Sequence, residues 1–269
     1  MSTLIKRFLR SCLIHLDSRF PDFLSTIELE LQKPQGKGWL ASSMGFEVET
    51  AFRFLPASTS LDLVCLDIGA NVGEYTKAIL EFIPKAKIHL FEPHPYLIES
   101  LTKSFSTNPN LAIHELALGA HASKQSLYFN EPGSVLSSLF QRKNLPDGLE
   151  LDKSIFVDVS TIDIECKRLK LEPGFIKIDT EGNELEVLKG AIETILKFEP
   201  VVQFEFGGTA IDSRTFFIDY WSFFSEIGYS LFRITPYGSK RINSYSERDE
   251  YFSHMNFIAT KISSNHRHD

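Results

Sequence analysis

The sequence predicts an α/β protein built on an open, mostly parallel sheet, and three stretches carry that prediction. Residues 61–78, LDLVCLDIGANVGEYTKA, place a short apolar run from Val64 to Ile68 before a glycine turn and a helical pattern. Lys87 to Phe91 is a second run, closing in Glu92-Pro93-His94-Pro95. Phe175 to Gly190, FIKIDTEGNELEVLKG, repeats the order of buried strand, turn and helix. In such a sheet, ligands sit in the crevice at the carboxyl ends of the strands.

Around these stretches the elements follow in order. From Met1 to about Leu31, Leu4, Ile5, Phe8, Leu9, Cys12, Leu13 and Leu16 fall at helical spacing, with Lys6, Arg7 and Arg10 opposite. Arg10, His15 and Asp17 interrupt the apolar core that a secretory signal needs. A basic amphipathic helix can lie on a membrane surface. Packing against the domain or a second copy in a homo-oligomer is the preferred reading, since surface helices are generally amphipathic. Residues 32–46 hold Pro34, Gly36, Gly38 and Gly45 and read as a loop. The expected division is an N-terminal helical extension over 1–50, a main domain over 51–262 and a polar tail over 263–269.

Glu74 to Phe82 is the first crossover helix, and Tyr96 to Phe105 the next. Ala112 to Leu118 is the third strand, with short strands expected at Leu127 to Phe129 and Phe156 to Val159. Between these two, Asn130 to Leu151 is rich in Gly, Pro, Ser and Asn and reads as a lid or acceptor-side loop. Asn183 with Glu186 three residues on reads as a capping box. Leu185, Leu188, Ile192 and Ile195 form the inner face of the helix that follows. Pro200 to Phe206 is a further strand, and Ser213 to Ile227 an aromatic-rich helix whose rings pack on the sheet. Tyr229 to Ile234 and Asn256 to Ile262 are the last strands, with a hairpin at Pro236-Tyr237-Gly238.

Composition narrows the function classes. The chain has 269 residues and a net charge of −7, and no basic run offsets that charge after the first twenty residues. This argues against a nucleic-acid footprint. No run approaches the eighteen apolar residues of a membrane span. Cys12, Cys65 and Cys166 are scattered and odd in number, which implies neither a disulfide framework nor metal spacing and fits a reducing cytoplasm.

The glycine loop is informative through its spacing. A dinucleotide site wants G-x-G-x-x-G, whereas this chain has Gly69-Ala70-Asn71-Val72-Gly73 followed by Glu74. No Gly-Lys-Ser/Thr follows, so a P-loop is excluded. What remains, D-x-G-x-N-x-G, resembles motif I of S-adenosylmethionine-dependent methyltransferases. Glu92 stands nineteen residues past Gly73, close to the interval at which Rossmann-like folds place a ribose-binding acid. A carboxylate can accept from both ribose hydroxyls at once. Asp179 and Glu181 cluster at a strand-to-helix turn on the ligand side of the sheet, and Glu205 places a charge within an apolar strand, where it needs a partner, water or a metal.

The ordered set CLDIGANVGEYT, FEPHP, ELALG, STID, FIKIDTEGNELEVLKG and PVVQFEF resembles the FkbM-type methyltransferases, from about Leu61 to Phe206. The resemblance implies a Rossmann-like class I methyltransferase fold, with a seven-stranded, mostly parallel sheet, helices on both faces and a final antiparallel strand. It implies methyl transfer from S-adenosylmethionine to a hydroxyl of a sugar, glycan, glycolipid or secondary metabolite. By motif match, Asp67, Gly69, Ala70, Asn71, Gly73 and Tyr75 belong to the methionine end of the cofactor site. Glu92 and Pro93 match the ribose end, and Glu115 and Ala117 the adenine edge. Asp179 and Glu181 match the acids facing the transferred methyl, with Glu205 as a further catalytic candidate. His94 is a weaker candidate base that can equally cap its loop. Acidic oxygen clusters suit Mg²⁺, although no ligand set is assigned. An NAD-dependent oxidoreductase and a non-catalytic S-adenosylmethionine-binding protein are the alternatives.

Overall fold

The computed structural model describes residues 7, 11–15, 20–38, 43–56, 62–134, 136–142, 145 and 149–261. Residues 1–6, 8–10 and 16–19 of the expected leading helix and the tail at 263–269 lie outside the described residues. Helix α1 (Pro21–Gln32) leaves Ile27, Leu29 and Leu31 exposed. Residues 32–46 differ from the expected loop. A short 3-10 turn covers Lys33–Gln35, and helix α2 (Met44–Phe52) starts where the Ser43 hydroxyl accepts from Phe46 N at 3.3 Å. Val48 and Ala51 of α2 are fully buried in the main core, so this helix stands across the boundary expected at residue 50.

Strands β1 (Val64–Ile68), β2 (Lys87–Glu92) and β3 (Leu111–Glu115) are parallel and joined by helices α3 (Glu74–Phe82) and α4 (Pro95–Phe105). The expected third strand divides at Leu116. Its first half remains in the main sheet, while β4 (Ala117–Leu118) pairs with β6 (Lys153–Ser160) in a separate three-stranded sheet that also holds β5 (Ser123–Phe129). Leu116 N donates to Glu92 O at 3.3 Å across this corner. Helix α5 (Ile162–Leu169) then leads to β7 (Phe175–Ile178), which lies parallel to β1.

The single helix expected after Asn183 is two, α6 (Glu184–Lys189) and α7 (Ile192–Phe198), separated at Gly190. A side chain at Gly190 would collide with the Gly119 carbonyl oxygen, so the residue at this break has to be glycine. The Asp163 carboxylate then accepts from Glu193 N and Thr194 N (3.0 and 2.7 Å) at the start of α7. Strand β8 (Val201–Phe206), helices α8 (Thr209–Ser213) and α9 (Phe217–Glu226), and strands β9 (Ser230–Thr235), β10 (Gly238–Ile242) and β11 (Met255–Thr260) complete the chain. On α9, Phe217, Tyr220 and Phe224 are buried against Phe204 and Phe206, whereas Phe216 is exposed.

The main sheet runs β10-β9-β11-β8-β7-β1-β2-β3, with β11 antiparallel to both of its neighbours. It has eight strands rather than seven, because the hairpin after Pro236 adds β10 at one edge. Cys65 faces the core under α2 and α3, while Leu66 and Ile68 face the core under α5–α9. This arrangement is the expected Rossmann-like α/β fold with helices on both faces.

Gly190 lies at a negative φ of −78°, so an added methyl there tests packing alone. Gly190→Ala is expected to destabilise the protein by about 1–3 kcal/mol, as overpacking does, measured by urea denaturation. An unchanged midpoint would contradict the contact with Gly119.

Candidate active site

The site is built on a row of polar residues that crosses one face of the sheet. Register places Asp67 of β1 beside Lys177 of β7, and Lys177 beside Gln203 of β8. It also places Glu205 of β8 opposite Asn256 of β11. All lie on the face covered by α2 and α3, whose side chains complete the row. The Thr76 hydroxyl donates to Asp67 Oδ2 at 2.6 Å, and the Tyr75 hydroxyl to Gln203 Oε1 at 2.6 Å. The Glu47 carboxylate accepts from Gln203 Nε2 and Asn256 Nδ2, each at 3.0 Å. Burial pushes the Glu47 carboxyl up to about 7.

At the centre is Lys177. Its ammonium lies 3.5 Å from Asp67 Oδ1 and 3.4 Å from Asp179 Oδ2, and it donates to the Gly69 carbonyl at 3.2 Å. Burial opposes the ammonium, but Asp179 and Asp67 together hold its pKa above the ordinary lysine value. The Gly69 turn has a φ of 76°, and a side chain there would strike the Asp179 carbonyl oxygen. The β1 and β7 turns are thus locked together by backbone contact and by one shared cation.

Asp179 divides two clefts. The first spans about 630 Å³, open solvent at its mouth included, at the strand ends; Phe91, Leu97, Leu116, Leu118, Leu127 and Leu139 form its apolar wall. Gly69, Asn71, Glu92, Pro93, Ala117, Asp179 and Glu181 also line it. Glu92 is 5% exposed; its Oε2 accepts from Asn71 N at 3.0 Å and its Oε1 from His94 N at 2.9 Å. Burial lifts its carboxyl to about 7, against the pull of those two backbone bonds. The second cleft, about 1120 Å³, lies over the polar row and includes Glu47, Ala70, Tyr75, Lys177, Gln203 and His254. Gly69, Asn71 and Asp179 line both clefts.

Several expected site residues lie elsewhere. Glu115 is exposed and off the first cleft, because the corner at Leu116 brings Leu116 and Ala117 to that wall instead. Asp67 is fully buried behind the wall, and Gly73 starts α3 against Phe105. Tyr75 faces the second cleft. His94 caps α4, its Nδ1 accepting from Tyr96 N at 3.3 Å.

Each remaining acid already has a basic partner. Glu181 Oε2 and Asp212 Oδ2 both lie 3.0 Å from Arg142, which reaches in from the expected lid segment. Burial, with Asp179 and Glu205 nearby, raises the Glu181 carboxyl to about 8 despite Arg142. Ser138 of the same segment donates to the Glu181 carbonyl at 2.7 Å. Glu205 Oε1 lies 2.8 Å from His254 Nδ1, and burial together with Asp179 raises the Glu205 carboxyl. Among the described residues, no three His, Cys, Asp or Glu side chains converge as a metal site.

The turn itself is shaped by a residue that sequence reasoning missed. Glu184 Oε1 accepts from Thr180 N at 2.7 Å and Gly182 N at 3.1 Å, which supports Glu181 at a φ of 55°. The expected capping box is absent: the Asn183 side chain makes no cap hydrogen bond at the start of α6. Asn183 instead donates to the Leu118 carbonyl at 2.9 Å, and Glu186 pairs with Lys189 on the surface.

The profile of the methyltransferase FkbM domain matches residues 67–231, more than half of the chain, which takes in Asp67, Glu92, Lys177, Asp179 and Glu205 but not Glu47, His254 or Asn256. The chain belongs to the FkbM methyltransferase family. It is 31% identical over 155 residues to methyltransferase sdnD of Sordaria araneosa, covering 48% of this chain and 60% of that protein. To hexuronic acid methyltransferase AglP of Haloferax volcanii it is 28% identical, covering 53% and 55%. To 2-O-methyltransferase NoeI of Sinorhizobium fredii it is 27% identical, covering 51% and 60%. It thus spans 55–60% of the length of these relatives. The crystal structure of methyltransferase FkbM from Methylobacillus flagellatus aligns with a TM-score of 0.47 at 18% identity, covering 88% of this chain and 60% of that one.

Lys177, Gln203, Glu47, Glu184 and His254 were not singled out by motif reading. Lys177 and Glu184 fall within the family's K-x-D-x-E-G-x-E stretch and were visible there as an unexplained cation and acid. Lys177→Met is expected to destabilise the protein by about 3–5 kcal/mol, the cost of leaving a buried carboxylate unpaired. Asp67 carries most of this, because Asp179 is 37% exposed and partly screened. A loss below about 1 kcal/mol in urea denaturation, the size of an exposed pair, would contradict the central role of the pair.

Proposed function

We propose that the protein is an S-adenosylmethionine-dependent O-methyltransferase acting on a hydroxyl of a sugar, glycan, glycolipid or secondary metabolite. The observation that carries the reading is the first cleft: an apolar slot for a base, closed at one side by a buried carboxylate. Each Glu92 oxygen keeps a second lone pair beyond its backbone bond, which suits a vicinal diol. Gly69, Asn71 and Asp179 then line the amino-acid end of the slot. When bound, S-adenosylmethionine supplies an electrophilic methyl group on a sulfonium. Two relatives, a hexuronic acid methyltransferase and a 2-O-methyltransferase, support a hydroxyl on a sugar-like acceptor.

In this reading Asp179, shared by both clefts, aligns the acceptor hydroxyl, since transfer depends on a near-attack geometry. Glu181 is held by Arg142, which closes the segment carrying Ser137 and Leu139 over the slot. Closure of this kind excludes water from a reactive electrophile.

Calorimetric titration with S-adenosylmethionine, with NAD as the control, tests the cofactor assignment. Affinity is expected to weaken by up to about tenfold per pH unit below pH 7, as Glu92 takes up its proton and loses acceptor capacity. Glu92→Ala should abolish both the tight binding and this pH dependence. Binding of NAD alone, or an unchanged Glu92→Ala variant, would contradict the assignment. Asp179→Asn is expected to lower turnover by about 100-fold or more with little change in cofactor affinity; full turnover in single-turnover assays would remove its aligning role.

A further inference from the structure

The second cleft carries a base of its own. His254 stands at its rim, directly before β11, and its backbone is fixed there: its carbonyl accepts from Gly38 N at 3.0 Å, and Gly207 packs beneath it. Antiparallel pairing sets Asn256 opposite Glu205, so His254, two residues earlier, turns to the same face. Its Nδ1 meets Glu205 Oε1 at 2.8 Å, and its Nε2 lies 3.3 Å from Asn256 Nδ2. An amide nitrogen only donates. In the neutral ring, Nδ1 carries the proton given to Glu205 and the Nε2 lone pair accepts from Asn256, an amide that an acceptor hydroxyl displaces on binding. An imidazole oriented by a buried carboxylate, with its second nitrogen accepting, is the arrangement by which oxygen nucleophiles are activated.

We propose that the second cleft is the acceptor subsite and that His254, oriented by Glu205, takes the proton of the acceptor hydroxyl, an assignment that rests on the methyl-transfer reading above. The acceptor oxygen bonds to the methyl carbon as the carbon–sulfur bond breaks, its electron pair going to sulfur. The hydroxyl proton moves to Nε2, and Glu205 stabilises the imidazolium until water removes that proton. Glu205 is then a positioning residue rather than a base.

The charged groups around the ring are Glu205 on β8, Asp179 and Lys177 at the end of β7, and Glu47 on α2, with the amide of Asn256 on β11. Burial disfavours the imidazolium. The Glu205 hydrogen bond and the charges of Glu205, Asp179 and Glu47 outweigh it and lift His254 to about 9. The neutral base therefore grows about tenfold per pH unit from neutral pH up to that value.

Nitrogen-15 NMR titration of the full chain tests the pair without substrate, with His254 identified by the signal lost in His254→Gln. The wild-type ring is expected to titrate above about 7.5 and to fall by more than about one unit in Glu205→Gln, towards the ordinary histidine value. A wild-type value at or below about 6.5 would overturn the proposal. On any acceptor found by screening methyl glycosides and glycolipids, log kcat should rise with unit slope to about pH 9. His254→Gln should lower kcat by about 100-fold or more and flatten that slope, with calorimetric affinity for S-adenosylmethionine unchanged. A His254→Gln variant with wild-type rate and slope overturns this assignment alone. Failure of folded wild-type protein to bind S-adenosylmethionine overturns the methyl-transfer reading together with it.

Discussion

One ammonium group holds the centre of this protein together. Lys177 arises from the middle of the sheet, between the fully buried Asp67 and the cleft-facing Asp179, and reaches the Gly69 carbonyl as well. Without that cation the buried Asp67 carboxylate would have no ion-pair partner. With it, the glycine turn after β1 is fixed against the turn after β7. The position of Asp179, and with it the boundary between the two clefts, follows from this pairing. The ring of Tyr75, 5.4 Å from the ammonium, completes the enclosure.

The same economy recurs around the site. Every acid near the junction is matched to a different neighbour: Asp179 to Lys177, Glu181 to Arg142, Glu205 to His254, Glu184 to the backbone of its own turn. These partners come from β7, the segment after β5, the residue before β11, and the turn between β7 and α6. The constellation therefore forms only when distant parts of the chain are in place together. Buried charges that are paired and hydrogen-bonded can persist where isolated ones cannot.

What the sequence disclosed follows from how local each signal is. Val64–Ile68 and Phe175–Ile178 are short apolar runs ended by glycine or acid, and both are strands at those residues. Glu92 was legible because its distance from the glycine loop is a feature of one chain segment. Leu116 was not, since the corner that exposes it depends on β4 leaving the main sheet for β6. The close packing at Gly190 was hidden for a similar reason: the carbonyl that excludes a side chain there belongs to Gly119, seventy-one residues earlier. His254 carries no motif at all, and its meaning comes only from the pairing of β11 with β8. Local pattern thus marked the strands and the acids, while the contacts between segments set which acids meet which cations.

The central claim is that the apolar slot ending in Glu92 receives an adenosine and presents its sulfur end to Asp179. A crystal structure of the protein with S-adenosylhomocysteine tests this most directly. The account predicts the adenine between Phe91 and Leu116, the ribose hydroxyls on the Glu92 carboxylate, and the sulfur at the junction where Asp179 divides the clefts. Adenosine bound in the other cleft, or ribose hydroxyls distant from Glu92, would contradict it.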